Sequence, residues 1–193
     1  AVSVGEVNIC TQLIRAIEPR LPNAKIVVST TTTTGMGELK SQLPTHISKI
    51  YYPIDRRQYV ARSLATVSPK AIVLVEAEIW PNFIWRAQAL NIPLFLVNAR
   101  LSERSYRSYK RFGFLFRPLF ASFTGVGAQN EADAKRLIEL GCRPEAVRVV
   151  ERRGDVDGEE QHEIDGQGLA ELLDAIEEHA EVARFHQLHR HPP

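Results

Sequence analysis

The sequence predicts an α/β fold in which helices cover a parallel β-sheet. Over residues 1–150, short runs rich in β-branched residues alternate with longer amphipathic stretches, which is the pattern of strands joined by crossover helices. The chain has 193 residues, of which 44% are hydrophobic, and this is enough to bury the core of one domain. Its two cysteines are far apart and match no zinc-binding spacing, which argues against a disulfide scaffold and a structural zinc site.

Each predicted strand is a short apolar or β-branched run bounded by turn-forming or charged residues. These runs cover residues 25–30, 71–75, 94–97 and 124–128, with 50–52 as a further short candidate. Amphipathic spacing predicts helices over residues 7–21, 56–67, 80–91, 115–122 and 131–140. The last helix has start and stop signals, because Asn130 suits the N-cap and Gly141 suits the position after the C-terminus.

The charge distribution changes sharply after Val150. Residues 1–150 hold 20 Lys and Arg against 11 Asp and Glu, whereas residues 151–193 hold 4 against 12. We therefore predict a domain over 1–150, with its first strand missing because no strand precedes the first helix. An acidic, His-containing tail over 151–193 is expected to be poorly ordered or out of frame. Within it, apolar residues at helical spacing predict one helix over 169–183.

Ligands of parallel α/β folds bind at the carboxyl ends of the strands, so the loops that follow strands are the predicted functional regions. The first such segment is Ser3-Val4-Gly5-Glu6, in which Glu6 lies at the start of a helix. A carboxylate in this position is a candidate general base. The alternative, which the residues alone favour, is an acid that only complements the helix dipole.

Two further loops place polar side chains directly after predicted strands. Glu76 and Glu78 follow the strand 71–75, and acids at the end of a buried strand are costly unless they are solvated, paired or used in chemistry. The next strand is followed by Asn98, Arg100 and Ser102. Arg100 either binds a phosphate or carboxylate of a ligand, or neutralises one of the two glutamates.

The segment 104–117 interleaves basic and aromatic side chains. Its candidate contacts with a lipid phosphate or a membrane surface are Arg104, Arg107, Lys110 and Arg111, because cationic groups bind head-group phosphates while aromatic rings lie at the interface. The alternative is an amphipathic helix with a solvated basic face and an aromatic face in the core. No nucleic acid partner is predicted, since the chain shows no nucleic-acid-binding fingerprint and its pI is about 8.0.

Six segments, taken in order, resemble the N-terminal half of a 3-deoxy-D-manno-octulosonic acid (Kdo) transferase of lipid A and lipopolysaccharide assembly. They are residues 3–6, the Thr-rich 30–35, 52–55, 76–82, 98–102 with Ser105, and 129–133. The resemblance covers residues 1–150 and implies a Rossmann-like domain of a GT-B glycosyltransferase. It further implies inverting transfer of Kdo from CMP-Kdo to the lipid A precursor (lipid IVA), with no metal or other cofactor.

The resemblance also implies roles for single residues. Glu6 matches the general base of the family, and Glu76 falls where the family has an acid that assists the transition state. The predicted substrate-binding residues are Ser3, Gly5, Glu78, Asn98, Arg100 and Ser102. The implied location is peripheral, at the cytoplasmic face of the bacterial inner membrane, where segment 104–117 meets the phosphorylated lipid.

The chain departs from the family after residues 149–150. Here the family has a Thr-Gly-Asn-Leu-Lys type motif and then a C-terminal domain that holds CMP. We therefore expect a fragment that engages CMP-Kdo only through a missing C-terminal domain and transfers no Kdo by itself. Two alternatives are a stand-alone module that binds the lipid A precursor or a membrane surface, and an unrelated Rossmann-like nucleotide binder.

Overall fold

A computed structural model describes the backbone of residues 4–76, 79–150 and 167–188, and the side chains of residues 6–76, 79–150 and 168–180. The elements in chain order are α1 (Val4–Ile17), β1 (Val27–Thr30), α2 (Thr33–Gln42), β2 (Ser48–Tyr51), α3 (Arg57–Val67), β3 (Ile72–Val75), α4 (Pro81–Ala89), β4 (Leu94–Ala99), α5 (Glu103–Arg111), α6 (Gly113–Ala121), β5 (Gly125–Ala128), α7 (Glu131–Leu140), β6 (Val147–Val149) and α8 (Gln167–Leu188). All five predicted strands are present at or near their predicted positions.

The described strands form two parallel sheets. β1 pairs with β2 in one, and the other has the order β3-β4-β5-β6. Val75 pairs with Val97 across β3 and β4, and Ala99 pairs with Ala128 across β4 and β5. Because the strands of a sheet run in the same direction, their carboxyl ends meet at one edge. The predicted α/β class, a parallel sheet with flanking helices, is confirmed.

β4 is buried at all six of its positions and separates two cores. Leu94 and Leu96 belong to the core shared with α3, α4, α6 and α7. Phe95 and Val97 belong to the core shared with α1 and α8. A parallel strand buried on both faces requires apolar residues at successive positions rather than at alternate ones, and this explains the continuous apolar run of the segment.

α1 joins the two sheets through different positions on its surface. Val7 and Ile14 pack with Val28 of β1. Leu13 packs with Phe95 of β4 in the larger sheet. The first helix therefore contributes to both cores, and the residues of its first turn are held by packing on β1.

Two helices start at side-chain caps shortly after β1 and β4. The Thr-rich segment 30–37 continues into α2, whose N-cap Thr32 accepts a hydrogen bond from the backbone N–H of Gly35 at 3.0 Å. α5 begins shortly after β4, where Ser102 accepts a hydrogen bond from the backbone N–H of Ser105 at 3.1 Å. α2 was not predicted, because side-chain capping starts a helix despite weak local propensity. α5 and α6 agree with the helical alternative for segment 104–117.

Two smaller differences concern element boundaries. α1 ends at Ile17 rather than at residue 21, since Pro19 lacks the N–H that would continue the helical hydrogen bonds. β6 was not predicted, because Val147–Val149 is only three residues long and contains an arginine. Asn130 and Gly141 act as the predicted caps of α7, and Gly141 has a φ of 122°.

The tail contributes α8, which extends the predicted helix 169–183 in both directions and packs on the larger sheet. Leu172, Leu173 and Ile176 are buried there. Gly125 and Gly127 of β5 make room for Leu172, because a Cβ on these glycines would lie 2.9 Å and 3.1 Å from its methyl carbons. The remainder of the tail, 151–166 and 189–193, lies outside the described residues, so its disorder and the boundary at residue 150 stay predictions.

Candidate functional site

Three polar residues lie at the carboxyl ends of three neighbouring strands, Glu76 and Gln129 just after β3 and β5 and Asn98 within the last two residues of β4. The backbone N–H of Glu76, after β3, donates to the carbonyl of Val97 in β4 at 2.9 Å. Asn98 comes next in β4, so it is the register neighbour of Glu76. The backbone N–H of Gln129, after β5, donates to the carbonyl of Ala99 at 3.1 Å. Glu76, Asn98 and Gln129 therefore line the carboxyl edge of the sheet, where α/β folds bind ligands.

Glu76 and Asn98 both adopt a left-handed backbone, with φ values of 59° and 53°. Most residues other than glycine avoid this region, although asparagine tolerates it. The pairing of β4 with β5 also shifts register between Leu96 and Ala99. Such a bulge changes the direction of a side chain and ends regular pairing. The chain thus departs from ideal strand geometry at the two residues that the sequence marks as a site.

Only the oxygen of the Asn98 side-chain amide has a hydrogen-bond partner among the described residues. Asn98 is 7% exposed, and Gln129 Nε2 donates to its Oδ1 at 2.8 Å and to its main-chain carbonyl at 3.4 Å. No described residue accepts a hydrogen bond from Asn98 Nδ2. An unsatisfied buried donor costs about 1–3 kcal/mol, so this amide group retains a binding capacity that the described part of the chain does not use.

α7 fixes the loop between β4 and α5. Asp133 Oδ1 accepts from the backbone N–H of Leu101 at 3.1 Å, and Asp133 Oδ2 accepts from Asn130 Nδ2 at 2.9 Å. Arg136 Nη1 donates to the carbonyl of Leu101 at 3.0 Å. Arg100 precedes this anchored residue and is itself exposed. The guanidinium is therefore presented from a fixed backbone.

Ser102 has a structural role in addition to its predicted one. Its Oγ caps α5 at the backbone N–H of Ser105 and lies 2.9 Å from Ser105 Oγ. Ser102 is exposed, so its hydroxyl is also accessible to a ligand. Substrate binding by Ser102 stays a prediction.

A carboxylate from a different loop starts α4. Asp55 accepts hydrogen bonds from the backbone N–H groups of Asn82, at 3.1 Å, and Phe83, at 2.9 Å. Asn82 Nδ2 also donates to the Asp55 carbonyl at 2.9 Å. The helix that follows Glu76 is thus capped by a residue of segment 52–55. Glu78 lies outside the described residues.

Glu6 lies in the first turn of α1, as predicted, and is 6% exposed. It precedes Val7, which is fully buried against β1. The backbone of Gly5 forms part of the same turn, and Ser3 lies outside the described residues. Glu6 is therefore a buried carboxylate on a different element from Glu76 and Asn98, and its role as a base stays a prediction.

Two of the four predicted lipid-phosphate ligands are engaged in ion pairs. Arg107 Nε lies 2.9 Å from Glu103 Oε1, and Lys110 Nζ lies 3.0 Å from Glu139 Oε2. The Tyr106 hydroxyl also donates to Glu139, and this hydrogen bond, with that from Lys110, lowers the pKa of the Glu139 carboxyl. The Lys110–Glu139 pair attaches α5 to α7, whereas the Arg107–Glu103 pair lies within α5. Both pairs reduce the positive charge that faces solvent.

Arg104 and Arg111 differ from the other two basic residues. Both are exposed, and neither forms an ion pair with a described side chain. Arg111 stacks near the ring of Phe112, with 5.8 Å from Cζ to the ring centroid. Phe112 and Phe114 are 45% and 84% exposed at the junction of α5 and α6. We call Arg104, Arg111, Phe112 and Phe114 the α5–α6 surface.

Sequence reasoning missed three residues that shape the site. Asp55 and Gln129 lie in segments that contributed to the family resemblance, but they received no individual role. Arg136 follows the last of these segments and had no distinguishing signal. All three act through hydrogen bonds between elements that are distant in sequence, which a pattern along the chain does not reveal.

The described residues hold neither a membrane-spanning segment nor a cluster of metal ligands. Within 4–76, 79–150 and 167–188, no helix combines the length and apolar character needed to cross a bilayer. In that part of the chain, no group of three His, Cys, Asp or Glu side chains is arranged to hold a metal ion.

Residues 1–152 match the model of a family described as 3-deoxy-D-manno-octulosonic-acid transferase (kdotransferase). The chain belongs to this family. The match includes every residue of the candidate site and of the α5–α6 surface. The predicted Kdo transferase resemblance is confirmed, and with it the glycosyltransferase class.

Individual relatives agree with this assignment. The chain is 32% identical over 149 residues to the 3-deoxy-D-manno-octulosonic acid transferase of Haemophilus influenzae, which covers 77% of this chain and 35% of that protein. It is 33% identical over 150 residues to a bifunctional glycosyltransferase/methyltransferase of Fusobacterium nucleatum, covering 77% and 23%. The chain thus spans about a third or less of the length of these Kdo transferase family relatives.

A solved structure shares the fold of this Kdo transferase family member. The S. aureus MnaA–UDP structure superposes with a TM-score of 0.54 and 14% identity, covering 77% of this chain and 43% of that chain. At this identity the likeness concerns the fold alone. It confirms the Rossmann-like arrangement of parallel strands and helices.

Proposed function

We propose that this chain forms the acceptor-side domain of an inverting Kdo transferase of the GT-B kind. The domain binds the lipid A precursor lipid IVA, and the donor CMP-Kdo binds to another domain of the enzyme. The observation that carries the proposal is the line of Glu76, Asn98 and Gln129 along one sheet edge, inside the segment that matches the family. This edge is where parallel α/β folds place their ligands.

The proposed chemistry is a single displacement. An acceptor hydroxyl oxygen attacks the anomeric carbon of Kdo, the bond from that carbon to the CMP phosphate oxygen breaks, and CMP leaves with the electron pair. Glu6 takes the proton of the attacking hydroxyl, which is the one proton transfer that such a step requires. Glu76 supports the transition state. No metal or other cofactor takes part in this scheme.

The remaining substrate contacts follow from the loops. Gly5, together with Ser3, lets the acceptor approach the backbone beside the base. Arg100 is exposed on an anchored loop and is proposed to bind an acceptor phosphate, since a guanidinium binds two phosphate oxygens at once. Glu78 and Ser102 complete the proposed set.

We further propose that the α5–α6 surface contacts the cytoplasmic face of the bacterial inner membrane. Arg111 supplies positive charge beside the exposed ring of Phe112, and Arg104 is exposed on the same helix. Anionic lipids attract such a surface by about 1 kcal/mol per basic residue. Arg107 and Lys110 contribute less, because their ion pairs with Glu103 and Glu139 must compete with the lipid phosphates. The contact is peripheral.

Lipid binding by the purified chain tests the function. We expect the chain to bind lipid IVA in mixed micelles and to bind a dephosphorylated analogue at least tenfold more weakly. Arg100→Ala should lower the affinity for lipid IVA, whereas Arg62→Ala, at an exposed position on α3, should not. Equal affinity for both lipids would overturn the assignment of Arg100, and absence of binding would overturn the acceptor-side role.

Catalysis is tested in a hybrid enzyme. Residues 1–150 replace the matching segment of the Haemophilus influenzae enzyme, to which they are 32% identical. The hybrid should transfer Kdo from CMP-Kdo to lipid IVA, and Glu6→Gln should reduce the rate by 100-fold or more while lipid IVA binding persists. A rate that does not depend on Glu6 would remove it as the base.

Membrane contact is tested by co-sedimentation with vesicles of phosphatidylglycerol and phosphatidylethanolamine. Phe114→Ser and Arg111→Ala should each weaken binding, and added salt should weaken the charge-dependent part. Tyr59→Ser, which removes another exposed ring far along the chain on α3, is the matched control. Binding that ignores salt and both α5–α6 variants would remove this surface from the proposal.

A further inference from the structure

We propose that Asn98 donates a hydrogen bond from Nδ2 to an oxygen of the bound acceptor, and that Gln129 is the positioning residue that aims this amide. The oxygen belongs to a group of lipid IVA that can only accept hydrogen bonds, either a phosphate or an acyl-chain carbonyl, because a sugar hydroxyl could also donate and would not require an NH2 group. The inference rests on the proposed function, because it assumes that the acceptor occupies the carboxyl edge of the sheet. It adds Gln129 as a positioning residue, and it specifies that the Asn98 side chain donates a hydrogen bond to the substrate.

The backbone determines where the Asn98 side chain points. Asn98 has a φ of 53°, and it lies within the register shift between Leu96 and Ala99. A regular strand would send successive side chains to opposite faces of the sheet. The left-handed conformation and the bulge instead turn this side chain out of the alternating pattern, at the end of the strand where ligands bind.

Gln129 determines which end of the Asn98 amide is free. A main-chain carbonyl can only accept hydrogen bonds, and Gln129 lies 3.4 Å from the carbonyl of Asn98. Gln129 therefore presents its NH2 group to Asn98. The same NH2 group lies 2.8 Å from the Asn98 side chain, which must then present Oδ1, and Nδ2 points away from Gln129.

The free amide is buried rather than solvated. Asn98 is 7% exposed, and no described residue accepts from Nδ2. Native proteins nearly always pair buried polar atoms, and exceptions occur where a ligand supplies the partner. A neutral NH2 group selects for an oxygen that accepts a hydrogen bond, and it orients the ligand. It adds no charge, which Arg100 already supplies two residues further along the chain.

The decisive variant is Gln129→Glu, which leaves Asn98 unchanged. A carboxylate at position 129 can only accept, so the Asn98 amide must turn and present Nδ2 to it. Asn98 Oδ1 then faces lipid IVA and repels the oxygen that Nδ2 binds in the wild type. We expect at least a tenfold loss of affinity for lipid IVA. Gln58→Glu, at an exposed position on α3, introduces the same charge and should bind like the wild type.

A second variant also places an oxygen where Asn98 Nδ2 faces the ligand, but it does so at position 98 itself. Asn98→Asp keeps the shape of the side chain and replaces the donor with an acceptor, and we expect a similar loss. Urea midpoints measured in parallel show that each variant is folded.

The pH profile separates positioning from a merely structural effect. In Gln129→Glu, protonation of the new carboxyl near its ordinary pKa of about 4.3 restores a donor. Affinity relative to the wild type at the same pH should then recover. The dephosphorylated analogue distinguishes the two sources of the oxygen, because the Asn98→Asp effect disappears with the analogue if the partner is a phosphate and persists if it is an acyl-chain carbonyl.

The outcomes are distinct from those that test the function. If the wild type binds lipid IVA and both Gln129→Glu and Asn98→Asp bind within twofold of it, this inference is wrong and the proposed function stands. If the wild type fails to bind, both fall together. A change of the Asn98 side-chain amide signal in a 15N-resolved NMR spectrum on adding lipid IVA micelles would support the contact in the unmodified chain, and an unchanged signal would overturn it.

Discussion

Glu76 and Asn98 are register neighbours at the ends of β3 and β4, and both have a left-handed backbone, with φ values of 59° and 53°. Backbone strain of this kind costs roughly 1–3 kcal/mol per residue and concentrates at functional sites. Both residues carry side chains that are proposed to act on the substrate. The sheet edge is therefore shaped at the expense of stability.

Replacements at position 76 measure this strain. Glu76→Gly and Glu76→Ala both remove the carboxylate, but only glycine adopts a positive φ without a Cβ clash. We expect Glu76→Gly to have the higher free energy of unfolding by about 1 kcal/mol, determined by urea denaturation. At Gln58, inside α3, the order should reverse because alanine favours helix. The same order at both positions would show that Glu76 is not strained.

Asp55 is expected to stabilise α4 through a cap that comes from another loop. Asp55→Ala removes hydrogen bonds to the backbone of Asn82 and Phe83, so the free energy of unfolding should fall by about 1–2 kcal/mol. Asp55→Asn retains an acceptor oxygen and should recover more than half of the loss. Thermal melts followed by circular dichroism test both. An asparagine variant as unstable as the alanine variant would contradict capping as the cause.

The absence of a side chain at Gly125 is expected to be essential for packing. In Gly125→Val the new atoms would meet Leu172 and Phe95, since a Cβ alone lies 2.9 Å and 3.0 Å from them. Overpacking of this kind costs typically about 1–3 kcal/mol. Gly37→Ala is the control, because a Cβ there meets nothing within 4 Å and should stabilise α2 by about 0.5–1 kcal/mol. Opposite shifts in urea midpoint are expected.

α8 should be held by apolar contacts rather than by ion pairs. Leu172 is buried, so Leu172→Ala should lower the free energy of unfolding by about 2–5 kcal/mol. Glu171 pairs with Arg148 at 2.7 Å, but both side chains are more than two-fifths exposed, and Glu171→Gln should cost less than about 1 kcal/mol. Urea denaturation at low and high salt separates the two. A larger effect for Glu171 would reverse this ranking.

The two thiols should be unreactive in the folded chain. Burial raises the pKa of Cys10 to about 11 and that of Cys142 to about 12, so neither forms much thiolate at pH 8. An aromatic disulfide reagent should label them slowly in buffer and quickly in urea. Rapid labelling of the folded protein would contradict their burial.

The same shifts predict a pH dependence of stability. The folded chain keeps both thiol protons above pH of about 8.5, where the unfolded chain releases them. The stability linked to these groups is present below that pH and is lost as the pH rises towards the folded pKa values. The decline should be shallower in Cys10→Ala/Cys142→Ala than in the wild type. Equal slopes would show that the thiols do not titrate differently in the two states.

The sequence was sufficient for five of the six described strands and less so for the helices that start at caps. β4 could be predicted because burial on both faces requires a continuous apolar run. α2 was missed because its Thr-rich and Gly-containing segment looks like a loop until Thr32 is seen to cap Gly35. Local composition does not reveal a hydrogen bond that starts a helix.

The site shows the same division. Glu76 and Asn98 could be predicted because polar residues directly after buried strands must meet at one edge. Gln129 and Asp55 could not, since their importance depends on hydrogen bonds to Asn98 and to α4 across 27 or more positions of sequence. The free donor of Asn98 is visible only once the burial and the partner of its amide are known.

α8 acts as a ligand of its own domain. Residues 151–166 connect it covalently to β6, so its concentration at the sheet face is on the order of millimolar, as for other short tethers. Asp174 forms an ion pair with Arg20, and Glu171 forms one with Arg148. The acidic tail thus pairs with basic residues of the segment 1–150. A peptide added from outside must displace α8 before it can bind this sheet face. An inhibitor is therefore better directed at the carboxyl edge of the sheet, where Asn98 Nδ2 has no partner among the described residues.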